Sequence, residues 1–167
     1  NSYCDPNTIT DPYYDSNTTL CMASAVSAYF NSFGSDAPPP TYADIPEAET
    51  HLIWGANPAT AHPVVYRWIT KSVADEDGQL LVVDPVETAT VADADTHIQP
   101  NAGTDLALAR AVLTAIIDSG DVDTGFVEAH PAGYEELMGS LPGLETAAET
   151  AGVAVDTVNT VADALTN

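Results

Sequence analysis

The residues of this chain best suited to chemistry stand where turn signals follow apolar runs. Asn57 closes Leu52-Ile53-Trp54-Gly55-Ala56, Asp84 closes Leu80-Leu81-Val82-Val83, and Asp105 follows Ala102-Gly103-Thr104. A primary amide supplies both a donor and an acceptor, and a carboxylate accepts from paired hydroxyls or from neighbouring ring N–H groups. Gly55 and Gly103 let a backbone approach a ligand closely. These groups suit recognition of a nucleoside, and each also has a plain structural role. Asn57-Pro58 makes a turn after a strand, Asp84-Pro85 terminates one, and Asp105 can serve as the N-cap of the helix that follows it. For Asp105 the two roles are compatible, because a carboxylate has two oxygens.

Elements must hold these groups together. Leu52–Trp54 and Leu80–Val83 are compact, nearly continuous apolar runs, as expected of parallel strands buried on both faces, whereas strands exposed on one face alternate. About two dozen residues separate them, including the helix-like stretch Val64–Val73, which is the length and order of a right-handed β-α-β crossover. After Asp84 a short segment, Glu87 to Ala92, leads to a third, short strand at His97-Ile98-Gln99. A helix over Leu106–Asp118 stops at Gly120, and helical patterns recur over 123–129, 134–141, 144–151 and 155–165. Upstream, residues 1–19 read as an extended lead-in, Leu20–Phe33 as a helix stopped by Gly34, and Ala37-Pro38-Pro39-Pro40 as a rigid loop, with a helical turn over 44–49. The expectation is an α/β fold with a mainly parallel sheet and helices on both faces. In such sheets ligands bind outside the carboxyl ends of the strands.

Composition narrows the function. The 167 residues suit one domain, and 25 acidic residues against Arg67, Lys71 and Arg110 give a net charge of -22. Carboxylates scattered from Asp5 to Asp163 read as a surface adapted to molar salt, whereas a docking face for a basic partner predicts one acidic block. Nucleic acid is excluded as a partner, since almost no cations exist to displace its counterions. No apolar run approaches 18 residues, so no membrane contact is expected from this segment. Cys4 and Cys21 fit neither a disulfide scaffold nor a zinc or iron–sulfur pattern, and His62, His97 and His130 fit no ligand spacing, so no metal site is expected. There is no Ser nucleophile motif, P-loop or glycine-rich dinucleotide fingerprint, which disfavours a conventional NAD enzyme. Trp54 and Trp68 are read as packing residues.

Four stretches in order carry a family resemblance: Asp15-Ser16-Asn17-Thr18-Thr19-Leu20-Cys21-Met22-Ala23-Ser24-Ala25; Trp54-Gly55-Ala56-Asn57-Pro58 with His62-Pro63; Val82-Val83-Asp84-Pro85; and Gly103-Thr104-Asp105-Leu106-Ala107-Leu108. They resemble the molybdopterin oxidoreductases, and within them assimilatory and periplasmic nitrate reductases and formate dehydrogenases. Gly125-Phe126-Val127 and Ala151-Gly152-Val153 suit the same region, so the likeness runs over about residues 15 to 165.

The resemblance implies that residues 20–167 form a Rossmann-like, three-layer α/β/α domain holding the guanosine part of one molybdopterin guanine dinucleotide. By position, Gly55 and Asn57, with Thr60, match the loop nearing phosphate and ribose. Asp84 and Pro85 match the nucleoside contact, and Gly103 with Asp105 the loop that reads the guanine edge. Val86 and Glu87 stand where the family usually carries basic residues, and Thr19 replaces a common Arg. No cysteine-rich cluster motif and no molybdenum-ligand segment occurs. The molybdenum and an iron–sulfur cluster would therefore be held by other regions, this chain would contribute no catalytic residue, and alone it would be inactive. The implied partners are the remaining domains of the same enzyme and a redox donor. The implied setting is nitrate assimilation in the high-salt cytoplasm of a halophilic, archaeon-like source, with export of the intact enzyme left open. Two rivals remain: the central domain of a thiamine-diphosphate enzyme, and a stand-alone acidic interaction module.

Overall fold

A computed structural model of the chain describes residues 22–37, 39–75, 78–129 and 132–166. The chain divides into two compact units, Asn1–Thr41 and Tyr42–Asn167. The expected lead-in over 1–19, together with Leu20, Cys4, Cys21 and His130, lies outside the described residues. In the first unit, α1 spans Ala23–Phe33 and ends at Gly34, whose N–H returns to the Phe30 carbonyl at 3.1 Å.

The second unit begins with a 3-10 turn, Tyr42–Glu47, and is built on three strands: β1 (Thr50–Trp54), β2 (Gln79–Val83) and β3 (Thr96–Ile98). They lie in the order β1-β2-β3, all parallel, with Ile53 opposite Val82 and Val83 opposite Ile98. A short α2 (Pro58–Ala61) and the amphipathic α3 (Pro63–Asp75) make the crossover between β1 and β2. Beyond β3 come α4 (Asp105–Ser119), α5 (Thr124–Ala129), α6 (Tyr134–Ser140), α7 (Leu144–Ala151) and α8 (Val155–Thr166).

The two faces of β2 explain the layers, because successive side chains of a strand point to opposite sides. Leu80 and Val82 pack with Ile53 and with Tyr66 of α3. Leu81 and Val83 pack with Ile98 and with Leu108, Ala148 and Val158 of α4, α7 and α8. Helices thus cover both faces, giving the expected three-layer, Rossmann-like α/β arrangement with the two apolar runs as adjacent parallel strands. Each of the fully buried β2 side chains contributes roughly 1.5–3 kcal/mol by leaving water.

Four local expectations are corrected. β1 alternates in burial, with His51 and Ile53 inside and Leu52 and Trp54 half-buried, because it is an edge strand only partly covered by helices. The third strand runs over Thr96–Ile98, so that Thr96 joins it and Gln99 falls outside it. Asp105 is the first residue of α4 rather than its cap. Thr104 holds the cap position without a side-chain bond, and the Asp105 carboxylate is drawn instead to Trp54. Trp68 is 48% exposed on the outer face of α3, so it does not serve the core.

Candidate functional site

The sheet ladder continues one step past β1 and past β2. The Gly55 N–H donates to the Val83 carbonyl at 2.8 Å, and the Asp84 N–H to the Ile98 carbonyl at 3.0 Å. This keeps the three chain segments leaving the strands side by side, so that residues 55–60, 84–86 and 101–105 rise from one edge of the sheet. Gly55 and Gly103 have φ of 62° and 82°, a region L side chains rarely adopt, and nothing lies within 4 Å of where a Cβ would stand. Backbone shape, rather than crowding by the protein, selects glycine there, and the space beyond is open.

The side chain of Asn57 is committed on both of its ends. Its Oδ1 accepts from the Thr90 hydroxyl at 2.9 Å, and its Nδ2 donates to Thr60 Oγ1 at 3.2 Å. Thr90, fully buried, accepts from the Ala59 N–H at 3.2 Å, and its carbonyl lies 3.2 Å from the Tyr66 hydroxyl. That hydroxyl also contacts Asp93 at 2.9 Å; burial first, then the Asp93 bond and charge, push its pKa up to about 12. Asn57 and Thr60 therefore shape the first loop, and the second amide N–H of Asn57 is what it retains for a ligand.

Asp84 folds back on its own loop, with Oδ1 accepting from the Val86 N–H at 2.8 Å, while its carbonyl contacts His97 Nε2 at 2.8 Å. Such an Asx-turn orients the carboxylate and leaves Oδ2. Pro85 is exposed and rigidifies that turn. In the third loop, Asn101 is anchored through its N–H to the Ala151 carbonyl at 2.8 Å and accepts both the N–H and the hydroxyl of Thr104. Asp105 is exposed, and its Oδ1 accepts the Trp54 indole N–H at 2.9 Å. The first and third loops thus meet directly. Thr60 joins only through Asn57, and Asp84 joins through the backbone ladder.

Sequence reasoning missed Thr90, His97, Asn101 and the polar role of Trp54. Asn101 carries a turn signal in Pro100-Asn101-Ala102-Gly103, but Thr90 and Trp54 act on partners 33 and 51 residues away, beyond the reach of local pattern.

The loops over 54–62, 84–90 and 99–105 contain no Lys or Arg, while Asp84, Glu87 and Asp105 do lie in them. Arg67 and Lys71 belong to α3, and Arg110 of α4 donates to the Ser140 carbonyl. The edge is therefore equipped for hydroxyls and N–H donors and carries no side-chain cation for a phosphate. Among the described residues no group of three His, Cys, Asp or Glu could hold a metal ion. Two concavities lie elsewhere: one of about 650 Å³ beside Val127, Glu128 and Tyr134, another of about 480 Å³ beside Arg67, Thr70 and Asp93. The strand-end site is an open shelf, which a further wall would have to close.

A sequence model of the family described as molybdopterin oxidoreductase matches residues 9–160. The chain belongs to that family. Among molybdopterin oxidoreductases, it is 58% identical over 149 residues to the assimilatory nitrate reductase of Haloferax mediterranei, covering 89% of this chain and 21% of that protein. It is 38% identical over 124 residues to a nitrate reductase of Shewanella frigidimarina, covering 74% of this chain and 13% of that one. Among solved structures, the acetylene hydratase from Pelobacter acetylenicus superposes with a TM-score of 0.74 at 24% identity over 89% of this chain and 20% of that one. That last likeness is one of fold. The chain spans about a fifth or less of each of these proteins. Membership displaces the thiamine-diphosphate reading and the ligand-free acidic module. Among the described residues no helix is long and apolar enough to cross a membrane.

Proposed function

We propose that this chain is the part of a nitrate reductase-type molybdopterin oxidoreductase that holds the guanosine end of molybdopterin guanine dinucleotide on its strand-end shelf. The observation that carries the reading is the exposed Asp105 carboxylate, fixed at one oxygen by Trp54 and with Oδ2 bonded to no other described residue. Guanine presents adjacent N1 and N2 hydrogens to such a group, whereas adenine presents a ring acceptor there and leaves the acid unpaired. Asp84 receives the ribose hydroxyls, and the positive-φ backbones at Gly55 and Gly103 admit the sugar and base edge. Asn57, with Thr60 and Pro85, holds the first two loops in shape and offers one amide N–H.

The shelf fits a nucleoside better than a diphosphate, since its loops carry acids and no cation. We assign neutralisation of the phosphates to regions outside these residues. When bound, the cofactor supplies the two-electron molybdenum chemistry, and this chain's residues bind and orient its far end. Molybdenum ligands, an iron–sulfur cluster and a redox donor belong, in this reading, to the rest of the enzyme, which we place in a high-salt cytoplasm. Support comes from the relatives named as nitrate reductases and from the acid-rich surface.

Titrating GDP and ADP into the chain at high salt tests the reading. GDP is expected to bind weakly and yet in preference, by a mismatch of roughly 1–3 kcal/mol, or about five- to 150-fold. Asp105→Asn removes the preference, and Asp84→Asn weakens both nucleotides alike. Equal binding of the two by the unaltered chain overturns the assignment.

A further inference from the structure

We infer that Trp54 is a positioning residue for base recognition: its indole N–H fixes the plane of the Asp105 carboxylate, so that guanine selectivity depends on a side chain that need not touch the base. This rests on the guanosine reading above.

Trp54 ends β1 and packs half-buried against the cluster formed by Leu81, Val83 and the α4, α7 and α8 side chains. A ring packed along one side against that cluster has restricted motion, and an aromatic side chain has only two torsions to fix. Its Nε1–H can only donate, so it calls for an acceptor. The acceptor is Asp105 Oδ1 at 2.9 Å, 51 residues away in sequence. Asp105 itself stands exposed at the first position of α4, with no other side-chain bond among the described residues. Left alone, such a carboxylate samples several rotamers.

Reading two adjacent N–H groups of one base requires both acceptor sites to lie in the base plane. The indole bond removes the rotamer search before the ligand arrives. It also occupies only one lone pair of Oδ1, leaving Oδ2 and the second lone pair unused by the described residues. Pre-organisation of one polar side chain is worth roughly a three- to tenfold change in affinity. The gain falls on the ligand that uses both acceptors, so it appears as selectivity.

The test is Trp54→Phe, which keeps an aromatic body in the core and deletes the donor. GDP and ADP are titrated into the full chain at high salt, beside the unaltered chain and Asp105→Asn. The expected result is a GDP preference reduced by roughly three- to tenfold, with ADP affinity unchanged. Equal weakening of both nucleotides means that the ring acts only as packing, and overturns the inference. So does a preference that survives the substitution. A second readout does not depend on how Trp54→Phe folds. The Trp54 indole proton, followed by ¹H–¹⁵N NMR in the otherwise unaltered chain, should shift in Asp105→Asn and on adding GDP, and an unmoved signal sinks the proposal. If the unaltered chain shows no preference at all, the guanosine reading fails and takes this inference with it. Survival of the preference in Trp54→Phe fails this inference alone.

Discussion

His51 shows how one buried residue ties the sheet edge to its helix and makes stability depend on pH. Its Nε2 meets Ser72 Oγ at 3.2 Å, and Ser72 Oγ donates to the Ile45 carbonyl at 3.1 Å. The hydroxyl proton is spent on that carbonyl, so His51 donates from Nε2. A second ring proton would have to sit on Nδ1, and burial pushes the His51 pKa below its ordinary 6.5. The unfolded chain therefore binds this proton more readily than the folded one. The contribution of neutral His51 is complete above the unfolded value and is lost as pH falls through the lower folded one. Urea unfolding between pH 7 and pH 5 should show a falling stability limb that His51→Gln, which keeps a donor, flattens. Every other ionisable group is common to the two proteins, so the difference between the two curves isolates the histidine. Identical limbs would remove His51 as the cause.

At the scale of elements, the parts of the fold that reveal themselves in sequence are those whose pattern is local. Leu80–Val83 is legible as a doubly covered strand because all four residues are apolar, and it sits in the middle of the sheet. β1 resembles it in sequence, yet lies at an edge, since strand order depends on contacts that no single segment encodes. α4 is legible from its period, but its first residue serves Trp54 instead of capping, a preference set by a partner across the fold. The strand-end position of Asn57, Asp84 and Asp105 is likewise legible, whereas the buried Thr90 that holds Asn57 is not. Small residues set the spacing of the helices on one face: Ala111 and Ala115 of α4 are buried with Ala147, Ala148 and Ala151 of α7 and Ala162 of α8. Close-packed interiors have no room for added methylenes. Ala111→Leu should destabilise the chain by roughly 1–3 kcal/mol, lowering the melting temperature by about 2–12 °C. Leu106→Ala, on the exposed side of the same helix, should change stability by no more than about 0.5 kcal/mol. Equal effects would mean that these helices are not in close contact.

For the whole molecule, the net charge of -22 sets the conditions under which folding and nucleotide binding can be measured. The carboxylates form no single block. Exposed acids occur on α4 at Asp118, in the following turn at Asp121 and Asp123, on α6 at Glu135 and Glu136, and on α7 at Glu145 and Glu149. Repulsion among groups of this kind opposes the compact state, and unfolding relieves it by spreading them apart. Its range is about 10 Å at 0.1 M salt and about 3 Å at 1 M. Screening should therefore raise the melting temperature steeply between about 0.1 M and 1 M KCl, and little beyond, once the range falls below the distance between neighbouring carboxylates. Strengthened apolar burial would act differently: it grows with salt without levelling off, and is stronger for sulfate than for chloride. Melting curves in KCl and in potassium sulfate at matched ionic strength separate the two, since screening gives coincident curves that plateau. A melting temperature that is flat across the range would mean that the acids do not burden the folded chain, and would return the acidic surface to the role of a docking face for a basic partner.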